Sequence, residues 1–87
     1  MKYTFFEDPG HGWLKVPLKK LEKLGIVNQI SIYSYMQGDY AYLEEDCDAP
    51  LFIKTAKRRG QTVELDVRVS DKPSIIRGYP PFRLTEE

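Results

Sequence analysis

Ile30-Ser31-Ile32-Tyr33-Ser34-Tyr35-Met36-Gln37-Gly38-Asp39-Tyr40-Ala41-Tyr42-Leu43-Glu44 decides the fold, because here two β-rich runs meet across a Gly-X pair. β-Branched and aromatic side chains fit a pleated, half-buried surface, and a two-residue loop opening with glycine suits a type II′ hairpin turn. Strands are predicted over Ile30–Met36 and Asp39–Glu44, joined through Gln37-Gly38-Asp39. Side chains alternate along a strand, so Ile30, Ile32, Ser34 and Met36 share one face and Ser31, Tyr33 and Tyr35 the other. In the second strand Tyr40 and Tyr42 oppose Ala41 and Leu43. One face of the hairpin is expected to carry the tyrosines 33, 35, 40 and 42.

Downstream, Glu44-Glu45-Asp46-Cys47-Asp48 leads into a predicted helix over Ala49–Arg59, with Leu51, Phe52 and Ala56 as its apolar stripe. Asp48 is expected to cap its free N–H groups, Cys47 to staple onto Phe52, and the late bases Lys57, Arg58 and Arg59 to suit the negative end of the helix dipole. Thr62–Val69 then alternates, Val63, Leu65, Val67 and Val69 against Thr62, Glu64, Asp66 and Arg68, as in a strand with one solvated side. Ser70-Asp71-Lys72-Pro73 turns the chain, Ser74–Tyr79 is a candidate short edge strand, and Pro80-Pro81 ends it. Residues 80–87 are expected to fray.

Upstream, Lys2–Phe6 reads as a strand ending at the turn Asp8-Pro9-Gly10-His11-Gly12, and Trp13–Val16 as its hairpin partner. Pro17 suits the first turn of a helix over 17–24, whose Leu18, Leu21 and Leu24 recur at helical spacing before Gly25 as C-cap. The predicted order is β-β-α-β-β-α-β with a candidate final β. This is an α+β fold: a single domain over 1–87, with a mainly antiparallel sheet of about four to six strands and two short helices.

At 87 residues, 41% hydrophobic and 13% aromatic, the chain suits one globular core. Thirteen basic and thirteen acidic side chains cancel, so electrostatic recognition must come from local patches. Cys47 alone cannot form an internal disulfide, which points to a reducing, cytoplasmic setting. Glu7 and Asp8 precede any useful apolar run at the amino terminus, against a signal peptide, and no apolar run is long enough to cross a bilayer.

No serine sits in a nucleophile elbow, and neither a P-loop nor a dinucleotide glycine pattern occurs. Cys47 reads as a staple, and no cofactor, catalytic or metal residue is assigned. The run Glu44, Glu45, Asp46, Asp48 lacks EF-hand spacing, and an acidic patch facing a basic partner is a better use of it. Tyrosines beside mixed charge fit protein interfaces, so the partner-binding surface is assigned to Tyr33, Tyr35, Asp39, Tyr40, Tyr42, Glu44, Glu45 and Asp46. The partner is expected to be another protein, with homodimerisation open and no membrane contact. One alternative is nucleic-acid binding, with the tyrosines stacking bases beside Lys57, Arg58 and Arg59. A second is a metal-dependent or His11-dependent enzyme.

The strings Asp8-Pro9-Gly10-His11-Gly12-Trp13-Leu14, Leu24-Gly25-Ile26, Tyr33-Ser34-Tyr35, Gly38-Asp39 and Tyr42-Leu43-Glu44-Glu45-Asp46-Cys47-Asp48, with Ile76, Arg77 and Tyr79, resemble a family of small uncharacterised proteins encoded on bacterial phages, prophages and plasmids. The resemblance spans most of the chain and carries no activity. It implies an accessory protein of a mobile element, which by analogy with anti-CRISPR and anti-restriction proteins would bind a host defence protein through an acidic surface.

Overall fold

The computed structural model describes residues 1–83. Five strands, β1 (Lys2–Glu7), β2 (Gly12–Pro17), β3 (Tyr35–Gln37), β4 (Tyr40–Glu44) and β5 (Glu64–Val69), and two helices, α1 (Leu18–Leu24) and α2 (Asp48–Arg58), follow in the order β-β-α-β-β-α-β. The sheet order is β3-β4-β2-β1-β5. The pairs β1–β2, β2–β4 and β3–β4 are antiparallel, and only β1–β5 is parallel. The α+β expectation therefore holds, with one parallel pair created because α2 carries the chain from β4 across the sheet to its far edge.

The β3–β4 hairpin forms as its sequence requires. Gln37 pairs with Tyr40, Gly38 takes φ 61°, and no non-glycine residue among those described has positive φ. Only the first turn residue is thus left-handed, the type II′ requirement. β3 is shorter than predicted. Ile30–Ser34 leaves the sheet because Ser31 and Ser34 bond elsewhere: Asp48 Oδ2 accepts from Ser31 N (3.0 Å), Ser31 Oγ (2.7 Å) and Ser34 Oγ, and Ser34 Oγ accepts from Glu44 N (2.9 Å). Short polar side chains that bond the backbone compete with a strand ladder, and here they win.

The Leu stripe of α1 and the Phe52 stripe of α2 lie on one side of the sheet. Leu21, Leu24, Ala49, Phe52 and Ala56 pack with Tyr3, Leu14, Val16, Ala41 and Leu43 in the main core, where the Tyr3 and Phe52 rings meet edge to face at 5.1 Å. Pro17 ends β2 and stands just before α1, and Gly25 N–H closes the helix onto Glu22 and Leu21 carbonyls. Neither cap role proposed for the start of α2 is seen. Cys47 is exposed, and Asp48 points its carboxylate at Ser31 and Ser34 instead of at its own helix.

The other face of the sheet has a smaller core of Trp13, Tyr42 and Ile76, joined by Phe6, Tyr35 and Tyr79. It is roofed by the C-terminal segment. Ser74–Tyr79 is not an edge strand: Ile75–Gly78 is a turn of 3-10 helix whose N-cap Ser74 accepts from Ile76 N (3.2 Å). Pro80–Phe82 does not fray, since Met36 N donates to Pro80 O (2.9 Å) and Phe82 N to Ser34 O (2.7 Å); residues 84–87 of the expected tail lie outside the described residues. β5 keeps its predicted alternation but not its predicted burial, because Leu65, Val67 and Val69 are exposed. No helix among the described residues is long and apolar enough to cross a membrane.

Gly12 marks the point where the two faces converge. A Cβ there would sit 2.5 Å from Phe5 Cζ and 2.6 Å from Glu45 Oε1. Gly12→Ala is therefore expected to cost about 2 kcal/mol through overpacking, read as a lower midpoint in urea unfolding.

Candidate functional site

The loop Asp8–His11 is built by Asp8. Its Oδ1 accepts from Gly10 N and His11 N, both at 3.0 Å, and its own N donates to His11 O at 2.9 Å, the local pattern for which aspartate is chosen in turns. The same carboxylate reaches the far end of the chain. Oδ2 accepts from Ser74 N (2.8 Å) and Arg77 Nε (2.7 Å), and Arg77 Nη2 donates to Oδ1 (2.9 Å). The Asp8 side chain is closed to solvent, while Arg77 remains partly open. The Arg77 guanidinium holds the Asp8 carboxyl far below the usual carboxylate range against the opposing effect of burial, helped by the N–H groups of Ser74, Gly10 and His11.

Glu44 organises the opposite wall. It ends β4 buried, with Oε2 accepting from Asp46 N and Oε1 from Cys47 N, both at 2.9 Å. His11 Nε2 lies 2.9 Å from Glu44 Oε2, and His11 Nδ1 lies 3.9 Å from Glu45 Oε2. Burial alone would raise the Glu44 pKa; the N–H groups of Asp46 and Cys47 and the charge of His11 outweigh it and hold the group below its ordinary value. Desolvation and the neighbouring Glu44 push the Cys47 thiol up, the opposite of an activated thiolate.

Between the two walls lies an open cleft of about 380 Å³ lined by His11, Trp13, Tyr33, Tyr35, Glu44, Asp46, Cys47 and Arg77. Its floor is aromatic. The Trp13 ring meets His11 at 5.4 Å and Tyr35 at 6.2 Å, both edge to face, and the Arg77 guanidinium lies 5.1 Å over Trp13. Ile32 and Tyr33 stand beside it as an exposed apolar pair. Because Arg77 is matched by Asp8, the unbalanced charges are Glu44, Glu45 and Asp46 against the one imidazole.

The predicted surface is thus divided. Tyr33, Tyr35, Glu44 and Asp46 line the cleft and Glu45 borders it. Tyr42, in register with Tyr35, is buried under Tyr79 at 5.1 Å, and Glu44 is buried as well, so neither offers its side chain freely to a macromolecule. Asp39 and Tyr40 sit at the other end of β4, where Lys15 Nζ lies 4.2 Å over the Tyr40 ring. Lys57, Arg58 and Arg59 end α2, with Arg59 Nη2 donating to Leu24 O (3.2 Å). They lie on the helix side of the sheet and the tyrosines on the other, so the stacking platform and the basic cluster are not brought together.

Asp8, Trp13 and Arg77 were missed as site residues. The Asp-Pro-Gly turn signal could have marked Asp8, but nothing local in the sequence joins it to Arg77, 69 positions away. No family model matches the chain, and neither a curated protein nor a solved structure matches it.

Proposed function

We propose that the protein is a non-catalytic protein-binding module that receives a basic side chain of a host protein in the His11–Asp46 cleft. The resemblance described above would make it an accessory protein of a phage or plasmid, of the anti-CRISPR or anti-restriction kind, acting in the cytoplasm. One observation carries the reading: the rings of Tyr33 and Tyr35 stand at the cleft beside the Asp46 and Glu45 carboxylates, over a floor in which the buried Trp13 is already covered by Arg77. A guanidinium or ammonium group gains there from both ring faces and carboxylates, and exposed Tyr33 with Ile32 supplies apolar contact area at low entropic cost.

Trp13, the only tryptophan, reports on the cleft by its fluorescence. Arginine-containing peptides are expected to change it saturably. Asp46→Lys should weaken that binding at least tenfold and Tyr33→Ala severalfold, of the order expected for a central contact of about 1–2 kcal/mol, with far-UV circular dichroism unchanged. Undiminished binding by Asp46→Lys would remove the cleft from the account. Glu44 is unsuited to this test, since it holds two backbone N–H groups.

A divalent-cation site is the second reading, because His11, Glu44 and Asp46 each offer a ligand atom within 4.8 Å of the others. It ranks lower because both Glu44 oxygens already accept backbone N–H groups. Peptide binding that persists in chelator separates the two.

A further inference from the structure

The two edges of the sheet are treated differently. At β3 the chain covers its own edge, with Met36 N bonded to Pro80 O, Phe82 N to Ser34 O and Tyr35 bridged to Pro81. At β5 nothing among the described residues pairs with the outer side. Glu64 N donates to Met1 O (2.9 Å) and Ser70 N to Glu7 O (2.8 Å), so the backbone groups of Glu64, Asp66, Arg68 and Ser70 face β1. In a ladder the alternate residues face the other way, which turns the N–H and C=O groups of Leu65, Val67 and Val69 outward.

The same three residues carry an uncovered apolar face. They stand in register with Tyr3, Phe5 and Glu7 on the helix side of the sheet, yet α2 packs inward over Tyr3 and leaves them 42%, 50% and 75% exposed. Proteins usually blunt such an edge with a proline, a bulge or an inward-pointing charge; β5 has none of these on its apolar face.

β5 is complementary to itself about Val67. An antiparallel copy centred there sets Val67 against Val67, Leu65 against Val69, and Asp66 against Arg68 in both directions. The hydrogen-bond phase agrees, because the outward groups of 65, 67 and 69 fall at bonded pairs and give roughly six strand-to-strand bonds. Asp66 and Arg68 fall at the non-bonded pairs, where facing side chains are closest, on the side away from the helices. Within one chain they already form an exposed ion pair, Arg68 Nη2 to Asp66 Oδ2 at 3.1 Å. The neighbouring registers that keep the bond phase set Asp66 against Asp66 or Arg68 against Arg68, and like charges directly opposed are unfavourable.

We propose that the β5 edge is a homodimer interface, in which two copies join antiparallel about Val67 into one continuous sheet. Light scattering after size exclusion, and sedimentation equilibrium, measure this on the full chain. The wild type is expected at twice the 10.1 kDa of one chain at micromolar concentration. D66R and R68D each place like charges across the interface and should raise the dissociation constant at least tenfold. The double variant D66R/R68D restores the complementarity and should restore the dimer, while circular dichroism shows all variants folded. Amide exchange gives a second readout, with Leu65, Val67 and Val69 protected in the dimer. A wild type of single-chain mass at several hundred micromolar with fast exchange at these amides overturns the proposal, as does a double variant no more dimeric than the singles.

Discussion

Asp8→Ala is expected to lower the Tm by roughly 10 °C or more at neutral pH. The carboxylate removed lies closed to solvent and accepts from three backbone N–H groups and from both arms of Arg77. Alanine strands those donors together, and an unmet buried donor costs far more than an average hydrogen bond contributes. The loop carrying His11 and the 3-10 turn carrying Arg77 lose their common anchor, so the cleft opens as stability falls. The pH dependence should change too. Asp8 is held far below its unfolded value of about 3.9, and Glu44 is also lowered. A lowered folded-state pKa contributes stability that is present above the unfolded value and is lost as pH falls through it towards the folded one. The wild type should therefore lose Tm steeply below about pH 4, and Asp8→Ala should show a shallower acid limb in thermal melts run from pH 7 to pH 2.5.

Asp48→Ala is expected to cost about 3 kcal/mol, seen as a shifted urea midpoint at unchanged slope. Asp48 is 3% exposed and takes Ser31 N, Ser31 Oγ and Ser34 Oγ onto one oxygen. Those bonds hold the 31–34 segment off the sheet and set Tyr33 beside the cleft. Asp48 does not line the cleft, yet its loss should weaken peptide binding by loosening Tyr33. An isosteric Asp48→Asn keeps one acceptor and should recover part of both effects.

Patterns within one element were legible and patterns between elements were not. The Gly38 turn, the leucine spacing of α1 and the helix–strand order after Glu44 depend on neighbours in sequence, and local chemistry is enough to read them. Ser31 and Ser34 read as strand residues because their acceptor, Asp48, lies 17 and 14 positions away respectively. Asp48 reads as a cap for the same reason, since a helix-starting aspartate ordinarily serves its own helix. Ile75 and Ile76 suggested a strand, but Ser74 caps a tight turn that drops Ile76 onto Trp13 and Tyr42. At the site, the acidic corner and Tyr33 and Tyr35 were legible from composition. The burial of Tyr42 depends on a roof from residues 75–82, and the matching of Arg77 by Asp8 depends on the same roof. The exposure of Leu65, Val67 and Val69 depends on where α2 stops across the sheet, which no alternation pattern records.

The cleft itself is tested most directly by two-dimensional ¹⁵N NMR of the full chain during titration with an arginine-containing peptide. Saturable shifts confined to Gly10–Trp13, Ile32–Tyr35, Asp46, Cys47 and Arg77, and abolished by Asp46→Lys, are the predicted result. Shifts centred on Lys57–Arg59, or none at millimolar peptide, would contradict it.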